Sequence, residues 1–140
     1  MPNYTKAERI LLKGNTEYTE KWVQNLIKED PAILGLGDLV LRDVERIQPG
    51  AGRLDLLLVD PDDDYHRYEV EIQLGATNES HIIRTIEYWD IEKKRYPQYG
   101  HTAVIIAEDI TSRFLNVISL FNGAMPLTAI QMHALRLANM

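Results

Sequence analysis

Carboxylates stand inside two apolar runs of this chain, Gly52-Arg53-Leu54-Asp55-Leu56-Leu57-Leu58 and Tyr68-Glu69-Val70-Glu71-Ile72-Gln73. An apolar run of strand length buries its side chains, and a buried carboxylate is costly unless something pairs with it. A divalent cation is the partner that this pattern implies. Such a cation, held by acidic side chains, can polarise a phosphate and lower the pKa of a water. No side-chain nucleophile is then required.

The spacing sharpens the geometry. If 53–59 and 67–74 form an antiparallel hairpin whose loop, 60–66, is symmetric about Asp63, then facing residues have numbers summing to 126 and Asp55 faces Glu71. Directly opposed side chains sit about 4.5–5.5 Å apart at Cβ, where like charges repel unless a cation lies between them. Alternation also places Glu69, Glu71 and Gln73 on one face, with Val70 and Ile72 on the other.

The remaining elements must hold that hairpin. Residues 16–29 read as a helix with Trp22, Val23, Leu26 and Ile27 at helical spacing, stopped by Pro31. Glu20 lies three residues before Val23 and seven before Ile27, on the same stripe, so it is a third candidate acid. A helix-start acid stabilised by the macrodipole is the plain alternative. Residues 39–47 read as a strand, and Thr77 or Asn78 can cap a long helix reaching about Arg95. A strand over 102–107, a helix over 111–121 and a last strand over 127–134 complete the order α-β-β-β-α-β-α-β, a mixed sheet flanked by helices.

Composition narrows the classes. A chain of 140 residues that is 45% hydrophobic suits one domain, 1–140, with a real core. The apolar runs are too short to span a bilayer, and no apolar signal region opens the sequence, so a soluble, cytoplasmic protein is expected. The absence of cysteine excludes zinc-thiolate and thiol chemistry. A net charge of −6 argues against coating nucleic acid by bulk electrostatics, but leaves it open as a substrate; Lys93, Lys94 and Arg95 form a local basic cluster. Asp60, Asp62, Asp64 and Glu71 fall at calcium-loop spacing, yet Tyr65 occupies the position that needs glycine and the flanks are strands, so the segment reads as a solvated turn.

Together these residues resemble the PD-(D/E)XK nuclease superfamily, in a Glu-x-Gln variant, over about 16–107. The resemblance implies a restriction-endonuclease-like α/β core, α-β-β-β-α-β, in which Asp55 and Glu71 bind a divalent metal, usually Mg2+ with Mn2+ as an alternative, and Glu20 matches the family's first-helix glutamate. It implies catalytic roles for Asp55, Glu71, Gln73 and Glu20. His81, Arg84 and Tyr88 share one face of the following helix, and the last two fall at the spacing of a Gln-x-x-x-Tyr element of some nuclease branches, with arginine in place of the glutamine; they are secondary candidates. Leu54 replaces the name-giving proline. Gln73 replaces the motif lysine, which removes a positive charge that Arg84 or a second metal would have to supply.

The expected function is therefore metal-dependent hydrolysis of phosphodiester bonds, in DNA before RNA. The alternative is a catalytically inactive nuclease-fold module that binds nucleic acid or a protein partner. A homodimer or a partner protein that supplies targeting also fits, because a single small domain cuts one strand at a time.

Overall fold

The computed structural model describes residues 2–137. Five strands form the central sheet in the order β2-β3-β4-β5-β6: β2 (Val40–Ile47), β3 (Arg53–Asp60), β4 (His66–Ala76), β5 (His101–Asp109) and β6 (Leu127–Gln131). The β2–β3 and β3–β4 pairs are antiparallel, whereas β4–β5 and β5–β6 are parallel, so the sheet is mixed as expected. Helices α1 (Glu20–Glu29), α2 (Glu79–Arg95) and α3 (Ser112–Phe121) flank it.

Burial on both faces explains why β3 and β5 read as continuous apolar runs. Along β5, Val104 and Ile106 join Val23 and Ile27 of α1 in one core, while Ala103 and Ile105 join Ile82 of α2 and Ile118 of α3 in another. Fully burying one such side chain is worth about 1.5–3 kcal/mol. The hairpin register is the expected one: Leu56 pairs with Val70, Leu58 with Tyr68 and Asp60 with His66.

Two expectations need correction. The first helix begins at Glu20 rather than at residue 16, because the Asn15 carboxamide accepts the Glu17 and Tyr18 N–H groups in a turn and Thr19 takes the cap, accepting from Trp22 N–H. The last strand does not run through 127–134 but stops at Gln131. The chain then forms β7 (Ala134–Leu137), which pairs with β1 (Ala7–Ile10) in a separate two-stranded sheet that the hydrophobic pattern did not signal. A short 3-10 turn, Pro31–Leu34, follows α1.

Glu108, near the end of β5, fastens the N-terminal segment to the sheet. Its carboxylate accepts the backbone N–H groups of Leu12 (2.7 Å), Lys13 (2.9 Å) and Gly75 (2.7 Å). Burial alone would raise its pKa, but the N–H donors of Leu12, Gly75 and Lys13 outweigh burial and hold it below the usual carboxylate range. With the folded value depressed, this contribution is complete above the unfolded carboxylate pKa and is lost as pH falls through the folded one. Glu108→Gln is expected to cost about 1–3 kcal/mol at pH 7. Urea unfolding from pH 7 down to pH 3 checks it: the gap between variant and wild type should shrink on acidification, and a constant gap would refute the assignment.

Candidate active site

The hairpin ladder opens at the pair that matters. Its paired residues run from Asp60–His66 to Leu56–Val70, and at the next position the two carboxylates take over the backbone bonding. Asp55 Oδ2 accepts the Ile72 N–H at 2.8 Å, and Glu71 Oε1 accepts the Asp55 N–H at 3.0 Å. Each acid is thus anchored to the other's strand or to its partner's backbone. Glu71 is 3% exposed, so its second oxygen has few neighbours to choose from.

Helix α2 supplies one of them. Arg84 places Nε 3.5 Å from Glu71 Oε2, donates through Nη2 to Gln73 Oε1 at 3.3 Å, and donates through Nη1 to Ser80 Oγ at 3.1 Å. Gln73 in turn donates to the Ala76 carbonyl at 2.8 Å. The structure therefore brings Asp55, Glu71, Gln73 and Arg84 together.

His81 and Tyr88 sit differently. His81 is fully buried, with Nδ1 at 2.9 Å from Thr77 Oγ1 and Nε2 at 3.2 Å from the Glu71 carbonyl, so its ring braces the Glu71 backbone. Burial pushes its pKa down to about 4, which leaves it neutral. Tyr88 packs in the core with Leu54 and Leu57. Its ring closes against Gly52, where any Cβ would lie 2.3 Å from the Tyr88 hydroxyl. Glycine at 52 is a steric requirement that fixes the start of β3 three residues before Asp55.

Helix α1 covers the other side of Asp55. A cavity of about 110 Å³ is lined by Glu20, Lys21, Gln24, Glu45, Asp55 and Ile72. Glu20 reaches it but stays exposed at the rim, rather than buried on the inward stripe as its spacing suggested. Burial still raises its pKa, opposed by Arg84. Two residues escaped the sequence reading. Gln24, one turn after Glu20, donates to the Asp55 carbonyl at 3.1 Å, and its buried Oε1 has no hydrogen-bond partner among the described residues. Glu45 lies opposite Asp55, between the Val44–Leu56 and Arg46–Leu54 pairs, with φ +45. Its signal was the facing register of β2 and β3, which no local motif announces.

The electrostatics favour a cation. Burial first raises both Asp55 and Glu71 above the usual carboxylate range; the charge of Glu20 then adds to the rise at Asp55, against the Ile72 N–H, and the charge of Asp55 to the rise at Glu71. The cavity's donor set, the Asp55 carboxylate, Glu45, Glu20 at the rim and the unpartnered carboxamide oxygen of Gln24, is of the type that suits a hard ion, whereas Glu71 does not line the cavity and turns its second oxygen toward Arg84. Among the described residues no three acidic or histidine side chains converge to hold a metal.

Comparison with known proteins places the architecture. No protein-family model matches the chain, and no curated protein matches it. Solved structures do. A repair endonuclease from Pyrococcus abyssi superposes with a TM-score of 0.68 at 19% identity, covering 84% of this chain and 48% of that one. The chain has the fold of a repair endonuclease. EndoMS in complex with double-stranded DNA matches at TM-score 0.64 and 17% identity over 80% of this chain and 44% of its own, and EndoMS in apo form at 0.54 and 11% over 94% and 66%. This chain thus spans about half the length of the first two endonuclease structures. Among the described residues, no helix is long and apolar enough to cross a membrane.

Proposed function

We propose that the chain is a metal-dependent nuclease that hydrolyses phosphodiester bonds in DNA. The observation that carries this reading is the Asp55–Glu71 pair at the opened end of the hairpin, a half-buried and a buried carboxylate with raised pKa values, Glu71 accepting the Asp55 N–H and Asp55 the Ile72 N–H. Keeping two mutually repelling acids there is costly in a protein with no use for a cation. The endonuclease fold supports the same reading, and so does the DNA carried by EndoMS.

Asp55 and Glu71 would hold the ion, with Glu20 and the Gln24 oxygen completing its surroundings. When bound, a divalent cation supplies Lewis-acid polarisation of the scissile phosphate and activation of a water. The chain's own residues do the rest. Ile72 N–H and Asp55 N–H lock the two carboxylates in place. His81 fixes the Glu71 backbone from behind. Arg84 offers the positive charge that a lysine at position 73 would have offered, beside the Glu71 carboxylate. Gln73, held by Ala76 and Arg84, is placed to orient a water by hydrogen bonding.

A second reading, a non-catalytic DNA-binding module, is favoured by one observation: both ends of the Gln73 carboxamide are already engaged within the protein. Turnover separates the two. Supercoiled plasmid and an end-labelled single strand should be cut with Mg2+ or Mn2+ and left intact with EDTA. If the folded protein supplied with either metal leaves both substrates whole, the nuclease reading fails and the binding module stands.

A further inference from the structure

A second cavity, of about 350 Å³, lies at the opposite end of the hairpin from Asp55. Val59, on its wall, stands four residues beyond Asp55 on β3, about 13 Å away at the rise of a strand. Leu41 and Val59 give it an apolar floor, and Arg42, Arg67, Tyr65 and Tyr99 give it cations and rings.

Arg67 is the unusual member. It is 6% exposed, and its guanidinium carbon sits 4.4 Å from the centroid of the Tyr96 ring and 4.5 Å from that of Tyr99. Its Nη1 is buried with no hydrogen-bond partner among the described residues. The Glu92 carboxylate is 3.8 Å away, beyond hydrogen-bond reach, and already accepts from Arg46 and Gln48 while Arg95 stands 3.5 Å off. Three arginines stand around Glu92, and Arg46 is also paired with Asp43 at 3.1 Å, which leaves one positive charge in excess, to which Arg42 adds. The acids of the adjoining turn, Asp60, Asp62, Asp63 and Asp64, oppose it, yet none of them lines the cavity.

Tyr65 carries a second anomaly. It is 59% exposed and sits at φ +57, after Asp64 at φ +50. Left-handed backbone is unfavourable for a bulky side chain, so the turn spends conformational energy to present this ring beside the arginines. An apolar floor, two rings and two guanidinium groups are complementary to one class of ligand, an aromatic base that carries a phosphate.

We infer that this cavity binds a single nucleotide, its phosphate on Arg42 and Arg67 and its base against Tyr65 and Tyr99. The inference goes beyond the nuclease reading and does not depend on it. Calorimetric titration in EDTA, with AMP, adenosine, inorganic phosphate and a five-nucleotide single strand, tests it without cleavage. AMP should bind at least about tenfold more tightly than adenosine or phosphate. Displacement of AMP by the oligonucleotide would assign the site to a nucleotide within a strand, and failure to displace it to a free nucleotide; both support the proposal. Arg42→Ala should weaken AMP binding roughly tenfold. Tyr65→Gly should weaken it by a similar factor while leaving the melting temperature equal or higher, because glycine accepts the left-handed backbone. Adenosine or phosphate binding as tightly as AMP, no binding of any probe, or unaltered affinity in both variants would overturn the proposal.

Discussion

Asp55→Asn should abolish metal-dependent cleavage, lowering the rate of plasmid nicking by about 10³-fold or more, while the protein stays folded. The size follows from losing several kcal/mol of metal-based transition-state stabilisation, at a factor of ten per 1.4 kcal/mol. The fold should survive because an asparagine oxygen can still accept the Ile72 N–H that Asp55 Oδ2 accepts now. Removing a carboxylate that burial holds above its usual pKa range, and whose ionised form the fold therefore disfavours, should raise the metal-free melting temperature at neutral pH. Added Mg2+ should raise that temperature in the wild type and not in the variant. Retained cleavage in the variant would remove Asp55 from the chemistry and with it the central claim about the hairpin.

The second large effect lies far from Asp55. Glu92 is fully buried, with Arg46 Nε at 3.0 and 3.1 Å from its two oxygens and Gln48 Nε2 at 3.1 Å. Arg67 and Arg95 stand at 3.8 and 3.5 Å. Glu92→Ala should destabilise the fold by about 3 kcal/mol, because it leaves the buried Arg67 without a counter-charge and Gln48 without its acceptor, although Arg46 keeps Asp43 at 3.1 Å. For a chain of this size that corresponds to roughly 10 °C in melting temperature. Replacing Arg46 and Glu92 together by methionine should recover part of the loss, since an apolar pair asks for no counter-charge. Denaturant unfolding of both variants decides it, and a loss below about 1 kcal/mol for Glu92→Ala would mean that solvent reaches the cluster.

The hairpin register was readable because a turn of fixed length and a period of two leave one solution, and the Asp55–Glu71 opposition followed from it. The cap of α2 was readable to within one residue: Thr77 and Asn78 both precede the long helical pattern, and Asn78 is the one whose side chain accepts the His81 N–H. Other features were hidden for physical reasons. β1 and β7 pair only with each other, across almost the whole chain, and their side chains are mostly exposed, so no periodic apolar pattern marks them. Gln24 reads as a solvent-facing residue between Val23 and Asn25, and only the tertiary approach of α1 to β3 gives its amide a partner. Glu45 became part of the Asp55 cavity through the pairing of β2 with β3, a contact between residues that carry no shared motif. Arg84 was visible as a helix-face cation, but its partners Glu71 and Gln73 could be named only once α2 was seen to lie over β4.

The close fit of Tyr88 over Gly52 also constrains how such a sequence can change over generations. While the hydroxyl is present, alanine at 52 would meet it at 2.3 Å, whereas the ring carbon that bears it lies at 3.5 Å, an ordinary contact. A lineage can therefore pass through Tyr88→Phe and afterwards acquire alanine at 52, but the reverse order crosses a misfit intermediate. Two positions 36 residues apart thus exclude one combination, alanine at 52 with tyrosine at 88, and any exchange at the start of the strand that carries Asp55 has to pass through glycine at 52 with phenylalanine at 88.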